Sequence, residues 1–519
     1  MRTCFSIDPL TIDPRKNGDQ ITSTFLSLIY DALTRLKPNG EPELALAESV
    51  EISPDQKTYR FHLREAYWSD GHPLTAHDFA YSWLKGLDPK FPCLSPQLFF
   101  PIKNAEAASS GLVPLDEVGI RALDDTTLEI ELHHPTSYFL VLLSFCNFCP
   151  IPKHIETKNG QWENAPVHEL VTSGAFKIAK WKPKCEIICE KNPLYWDAKN
   201  VTLDSIHISI INNPHSVLQL FDQDELDLVS VILCSLPLES LNPYAQEGIL
   251  KFFPMGGTVF CSFNTHQYPF HNQNIRKAFS YAIDRHFIVE QVTRLNEIPA
   301  TRCLPPTLTQ NENTPLFPGF DENLARKHLN EGLQELEEEG DPDLAIRLFL
   351  NNLTLTFVSS PLNRKIVDTL QEQWKRVLGF KVRLESCDYN SFIQRFNKGK
   401  YSLGLAYWLA QFNDPMSIFE RFKSRSLPKN LPGYENPRFN ELLNLSSCEA
   451  NPVERKKILT QAESLFLDDM PLAPIYHYNH AFLCKPHLSG VQINAIGGFH
   501  FHQSQSSPSP QSRYTIAAS

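Results

Sequence analysis

Residues 407–415 read Tyr-Trp-Leu-Ala-Gln-Phe-Asn-Asp-Pro, three aromatic side chains and two amides ahead of a single carboxylate. Rings and amides are poor nucleophiles and poor proton carriers. The chemistry they offer is recognition, in which flat apolar walls and a few placed polar groups hold a small organic ligand. Tyr476 and Tyr478, at another expected strand end, add to Trp408, Gln411 and Asn413 the same kind of side chain. The run Leu403, Gly404, Leu405, Ala406 predicts a buried strand before this stretch, and 416–422 predicts a helix after it. Asp414 is placed to cap that helix and Pro415 to open it, so free backbone N–H groups face the strand's carboxyl edge. By itself the local pattern favours an ordinary strand-to-helix turn, and burial of Trp408 and the tyrosines in a core competes evenly with a pocket.

Other reactive residues point to no catalytic constellation. The chain has no Gly-rich phosphate loop, no G-x-S-x-G and no H-E-x-x-H, which weakens an enzyme reading. Cys146 and Cys149 form a C-x-x-C, but Pro150 follows and no second pair lies at zinc spacing; Cys185 and Cys189 are expected on one face of a strand. Packing is favoured for both pairs, with a disulfide as the intermediate alternative. His477 and His480 fall on opposite strand faces, and His500 with His502 supply too few ligands for a metal. Glu335, Glu337, Glu338 and Glu339 read as a solvated helix end.

The elements that must position these groups need a long chain, and 519 residues supply several cores. Hydrophobic residues at 42% and charged residues at 21% fit a soluble α/β or α+β protein, while 39 prolines disfavour a helical bundle. A net charge of -11 argues against a nucleic-acid partner or a polybasic membrane patch. Twelve cysteines are too sparse for a disulfide scaffold and many for an exported protein. No stretch reaches the roughly 20 apolar residues that span a bilayer. The start carries no basic region, apolar core and cleavage site; a signal is therefore expected to be absent, removed or upstream.

Periodicity predicts strand 4–7, a helix over 22–36, strand 59–63, a helix opened by the capping box Thr75 to Asp78, and a hairpin of 118–123 with 127–132. Strands 175–178, 186–189 and 206–210 follow, then a short helix 217–221. The next unit starts near residue 258. It alternates strand 259–263, helices 275–295 and 323–339, strand 353–358, helix 362–377 and strand 381–385, a pattern for a largely parallel sheet. Strand 474–483 precedes a Ser, Pro and Gln-rich tail, 503–519, expected to be disordered.

In order, these blocks resemble the family 5 extracellular solute-binding proteins, peptide-binding components of bacterial ABC importers. Asp8-Pro9-Leu10-Thr11-Ile12-Asp13-Pro14 is similar to the opening D-P-x-x-L-D-P. Leu46, Ala47, Glu48 and Ser49 match an "LAESW" block, with Val50 for Trp. Trp68, Ser69, Asp70, Gly71, Pro73, Leu74, Thr75, Ala76, Asp78, Phe79, Tyr81, Ser82 and Trp83 follow the family signature. Ser173 to Lys177, then Lys191, Asn192, Pro193, Tyr195 and Trp196, and later Ile275, Arg276, Ala278, Tyr281, Ala282, Ile283, Asp284 and Arg285 continue it. The similarity runs from Asp8 to about Pro486.

The resemblance implies an α/β, two-lobed periplasmic-binding-protein type II fold (cluster C) with an additional small α+β domain. Residues 1–36, 155–255 and 477–519 would form lobe I, 37–154 the additional domain and 256–476 lobe III. It further implies a monomer without cofactor, catalytic residue or metal, in the periplasm or cell envelope as a secreted protein or lipoprotein. Such a protein closes on a peptide in an interlobe cleft and delivers it to a membrane permease. A non-peptide solute such as a metal chelate is the alternative; an envelope chaperone or hydrolase is a weaker one.

The family loop reads G-W-x-x-D-x-x-D/E-P, its first Asp meeting the peptide's ammonium. Here Trp408, Asn413, Asp414 and Pro415 keep the frame, while Tyr407 replaces Gly and Gln411 replaces that Asp. Leu405 sits where some members carry a basic residue. Weaker peptide binding, a blocked or displaced amine, or compensation by Asp414 or another acid would each reconcile this. The expected ligand-binding residues are Tyr407, Trp408, Gln411, Asn413, Asp414, Tyr476, Tyr478, Ser23, Asn363 and Arg364, with Arg395 as a further carboxylate partner.

Overall fold

The opening strand Arg2–Phe5 buries Thr3, Cys4 and Phe5 and is central to the sheet of the first of two units. In a computed structural model of the chain, every residue is described except 38–39, 235, 238–239, 341, 343–345, 347–349, 351, 428–429, 494–496, 502–503 and 507–519. One unit comprises Met1–Phe253 with His480–Ser519, the other Pro254–Asn479. The chain passes from one to the other inside two strands, Leu250–Phe263 and Leu472–Cys484.

In the first unit Arg2–Phe5 lies parallel to Ser205–Ile210 and to Leu228–Ser230, and the antiparallel strands Glu186–Lys191 and Phe176–Lys182 extend the sheet. A separate antiparallel sheet runs Ala47–Ile52, Thr58–Leu63, Thr127–Glu131, Ile120–Ala122. Tyr59, Phe61 and Leu63 alternate inward as their spacing predicts. Over that sheet packs the helix Ala76–Gly86, opened by the expected Thr75 and Asp78 capping box and burying Phe79 and Trp83.

Several carboxylates staple this unit. Asp8 accepts the Trp181 indole N–H at 3.0 Å, and Asp31 accepts the Tyr195 hydroxyl and Trp196 indole at 2.7 and 2.9 Å. Arg15, 1% exposed, is gripped by Asp13 and Glu156 together. A buried ion pair persists only when its remaining donors are satisfied, and both carboxylates give the guanidinium two bonds each.

In the second unit Arg383–Cys387, Thr354–Val358 and Leu403–Leu409 run parallel, and Leu250–Phe263 lies antiparallel to the last of these from Gly257 onward. The helix Pro361–Leu378 starts at the Ser360 cap, ends at Gly379 with φ 83°, and sets Trp374 against Phe279, donating to its carbonyl at 2.9 Å.

Two helices are shorter than their periodicity predicts. The first spans Gln20–Ile29, capped by Asp19, because Thr34–Leu36 pairs as a strand with Pro42–Leu44. The second spans Gln273–Tyr281. Its continuation is broken where buried Arg285 bonds the carbonyls of Ser280, Ile283 and Pro474, and Ile288–Thr293 winds as a wider π-turn. Cys185 is exposed just outside Glu186–Lys191 and Cys189 is buried within it, so the pair shares no face; all twelve cysteines are free thiols. Of the expected disordered tail, 503 and 507–519 lie outside the described residues, and Gln505–Ser506 pairs with Leu488–Ser489. His502 also lies outside them. Among the described residues no helix is long and apolar enough to cross a membrane.

Candidate ligand-binding site

The strand Leu403–Leu409 buries its first four residues and then alternates, leaving Tyr407 55% exposed and Trp408 at 3%. Trp408 packs on Phe260 and Phe422, with ring centroids 4.3 and 5.7 Å away, and its indole N–H has no partner among the described residues. Tyr407 meets Tyr478 edge-on at 5.9 Å, and Tyr478 meets Tyr476 at 5.8 Å. Gly257 makes this crossing possible. A Cβ there would lie 2.4 Å from Leu409 Cδ2 and 3.0 Å from the Tyr478 ring.

These side chains open onto a cavity of about 640 Å³ within the second unit. Tyr407, Trp408, Gln411 and Tyr478 line it, joined by Asn363 at the start of Pro361–Leu378 and Tyr389 at the start of Tyr389–Asn397. Its walls are mostly apolar and none of its lining residues is acidic. That is the composition of a pocket for a small organic ligand.

The loop after the strand is held by hydroxyl and carboxylate. Ser417 Oγ accepts the Gln411 N–H at 2.7 Å and the Phe412 N–H at 3.4 Å. Asp414 accepts the Met416 N–H at 2.9 Å, the cap its position predicts, and forms a two-point ion pair with Arg455 at 2.7 and 2.8 Å. Its carboxylate is therefore committed to the helix Pro452–Asp469, and the expectation that Asp414 compensates for the missing ligand carboxylate is corrected. Gln411 lines the cavity.

Arg421 was not anticipated. Its guanidinium donates to the carbonyls of Ser417 at 3.2 Å and Leu409 at 3.0 Å, lines the cavity, and pairs with no carboxylate among the described residues. Burial pulls it down to about 10, still charged at neutral pH. No motif marks it; the only sequence signal is its place four residues after Ser417, one turn along the helix.

The other expected residues divide. Asn363 reaches the cavity while donating to the Val358 carbonyl at 2.9 Å. Arg364 is exposed and paired with Asp368 at 3.0 Å, Arg395 is paired with Glu385 at 2.6 Å, and neither is among the residues that line the cavity. Tyr476 is buried and Asn413 half-buried, and neither lines this cavity. Ser23 belongs to the first unit, where its hydroxyl accepts from Asn17 at 3.1 Å beside Cys146. His477 is buried against Thr258 at 2.9 Å, and the two ring nitrogens of His480 have no partner among the described residues.

Comparison with known proteins adds an independent line. Residues 41–428 match the family model described as bacterial extracellular solute-binding proteins, family 5 middle. The oligopeptide-binding protein OppA of Bacillus subtilis is 36% identical over 497 residues, covering 95% of this chain and 90% of that protein. The dipeptide-binding protein DppE of the same organism is 32% identical over 497 residues, with 94% and 89% covered. Among solved structures, the periplasmic murein tripeptide binding protein MppA in its unliganded open form matches with a TM-score of 0.83 at 25% identity, over 98% of this chain and 97% of that one.

Proposed function

The chain belongs to the family 5 bacterial extracellular solute-binding proteins, and on that premise we propose that it captures peptides or peptide-like molecules through their carboxylate and delivers them to the permease of an ABC importer. The observation that carries the carboxylate preference is Arg421, a guanidinium facing a cavity with no acidic lining residue. An uncompensated cation in an apolar pocket attracts an anion, and a planar fork suits a carboxylate. Tyr407, Tyr478 and Tyr389 offer ring faces and edges to ligand side chains without selecting one of them. Gln411 stands where the family loop carries the Asp that meets the ligand ammonium, so the free amine contributes little here.

Capture and release make or break no bond, and the protein acts as a monomer at the cell envelope, without cofactor or nucleic acid. In this reading 37–154 is an additional small domain, which the separate antiparallel sheet with Phe61 and Leu128 supports, 1–36, 155–255 and 477–519 are lobe I, and 256–476 is lobe III, within two residues of the division between the two units at 253/254 and within three of that at 479/480. Titration calorimetry with di- to pentapeptides, their N-acetyl forms and their C-terminal amides tests the reading. Acetylation should cost less than about threefold in Kd and amidation about tenfold or more, about 1.4 kcal/mol. Failure of every form to bind would remove the peptide assignment; loss on acetylation with none on amidation would remove the role of Arg421.

A further inference from the structure

In the first unit, three side chains with metal-ligating atoms converge. Asp70 Oδ2 lies 3.0 Å from His72 Nδ1 and 2.7 Å from His154 Nε2, and the two imidazoles stack with centroids 4.2 Å apart and 22° between planes. The other Asp70 oxygen is already occupied by the His72 backbone N–H at 3.1 Å, which leaves Oδ2 turned to both rings. We propose that Asp70, His72 and His154 bind one divalent transition-metal ion of the zinc type.

The geometry needs little change. Ligand atoms bonded at about 2.0–2.1 Å to a tetrahedral ion stand roughly 3.3 Å apart, a little beyond the present separations of Asp70 Oδ2 from the two ring nitrogens, and all three atoms lie within 4.8 Å of one another. Each imidazole directs an N–H at the carboxylate. On binding, that proton moves to the other ring nitrogen, and the freed lone pair takes the metal with no net proton loss from a neutral ring. Two imidazoles and one carboxylate suit zinc, nickel or copper better than the oxygen-seeking magnesium or calcium. The His72 side chain is 57% exposed, which provides an entry path and room for water in the remaining position.

The scaffold is held in advance. Asp78, buried at the start of Ala76–Gly86, accepts the Trp68 indole N–H at 3.4 Å and the Lys153 backbone N–H at 3.3 Å. One carboxylate thus ties down both the loop that carries Asp70 and His72 and the short helix Lys153–Glu156 that carries His154. Trp68 N–H donates to the His72 carbonyl at 2.8 Å, and Gly71 at φ 88° turns the chain between the two ligands. The family signature accounts for Asp70 and Gly71; His72 fills the position that signature leaves open, and His154 lies outside the quoted blocks.

The test uses the full chain stripped with a chelator, in a Cys185→Ser, Cys448→Ser background because those two thiols are exposed. Calorimetry should show one Zn²⁺ per chain, and Co²⁺ should give visible ligand-field bands. Asp70→Asn, His72→Asn and His154→Asn should each weaken Zn²⁺ binding by about tenfold or more, with the bands lost in both histidine variants. His72→Asn, at an exposed position, keeps the metal-free melting temperature and so separates ligand loss from misfolding. Absence of stoichiometric uptake, or uptake equal in all three variants, would overturn the site. The result is independent of peptide binding.

Discussion

At the scale of single residues, recognition in the cavity rests on one charge present and one absent. Arg421 brings a guanidinium with backbone partners only, and Gln411 brings an amide where a carboxylate would hold an ammonium. Removing one partner of a desolvated charge pair costs about 2–5 kcal/mol, enough to decide which end of a peptide dominates affinity. Arg421→Gln should therefore bring free-acid and amidated peptides to within about threefold of each other by calorimetry, where the parent separates them about tenfold. Gln411→Asp should make the opposite gain, tightening binding of free-amine peptides by about tenfold while leaving N-acetylated ones unimproved. Unchanged or weaker affinity for the free amine would remove Gln411 from recognition. In the sequence Trp408 and Gln411 stood out only as aromatic and amide side chains at a strand end, a pattern that core burial explains equally well; both residues line the cavity. Arg421 did not stand out, because only the fold-back of its helix onto the Leu409 carbonyl reveals it.

Among elements, the strand Leu403–Leu409 shows what positions such a site. Gly404 is there because the Phe396 ring occupies the space of a side chain; a Cβ would sit 1.9 Å from Phe396 Cζ. That ring is itself stacked between Phe392 at 4.1 Å and Tyr401 at 3.8 Å, so it cannot swing aside freely. Overpacking a filled core costs about 1–3 kcal/mol. Gly404→Ala should lower the urea-unfolding free energy by that amount and also weaken peptide binding, since Leu405 to Tyr407 on the same strand line the cavity. Unchanged stability would mean the aromatic stack is loose. Strands and the long amphipathic helices were readable because their periods are repeated several times. The helices expected over 22–36 and 275–295 overran because a hydrophobic period carries no record of where a buried arginine withdraws carbonyls or a short strand finds a partner.

Across the whole molecule, the blocks that made the family recognisable act mostly as internal fasteners. Asp8 holds the Trp181 indole, Asp13 the Arg15 guanidinium two residues on, and Asp78 the Trp68 indole, so resemblance reported the scaffold more directly than the ligand. The same burial gives the molecule a dependence on pH. Thr258 donates its hydroxyl hydrogen to the Cys303 carbonyl, so His477 Nδ1–H must donate to the Thr258 oxygen, which fixes a proton on Nδ1. Burial, reinforced by Arg302, pulls His477 down to about 3, and burial alone pulls His480 down to about 4, from an ordinary 6.5. Below about pH 6.5 the unfolded chain binds protons at these rings that the folded chain refuses, so stability is full above that value and is lost as pH falls toward the folded-state values. Each ring can add up to about 1.4 kcal/mol of loss per pH unit in that window. Replacing His477 by Gln, which keeps a donor for Thr258 but cannot titrate, should flatten the fall in unfolding free energy between pH 6.5 and 5 relative to the parent. Parallel curves for the two proteins would show that His477 takes up its proton in the folded state.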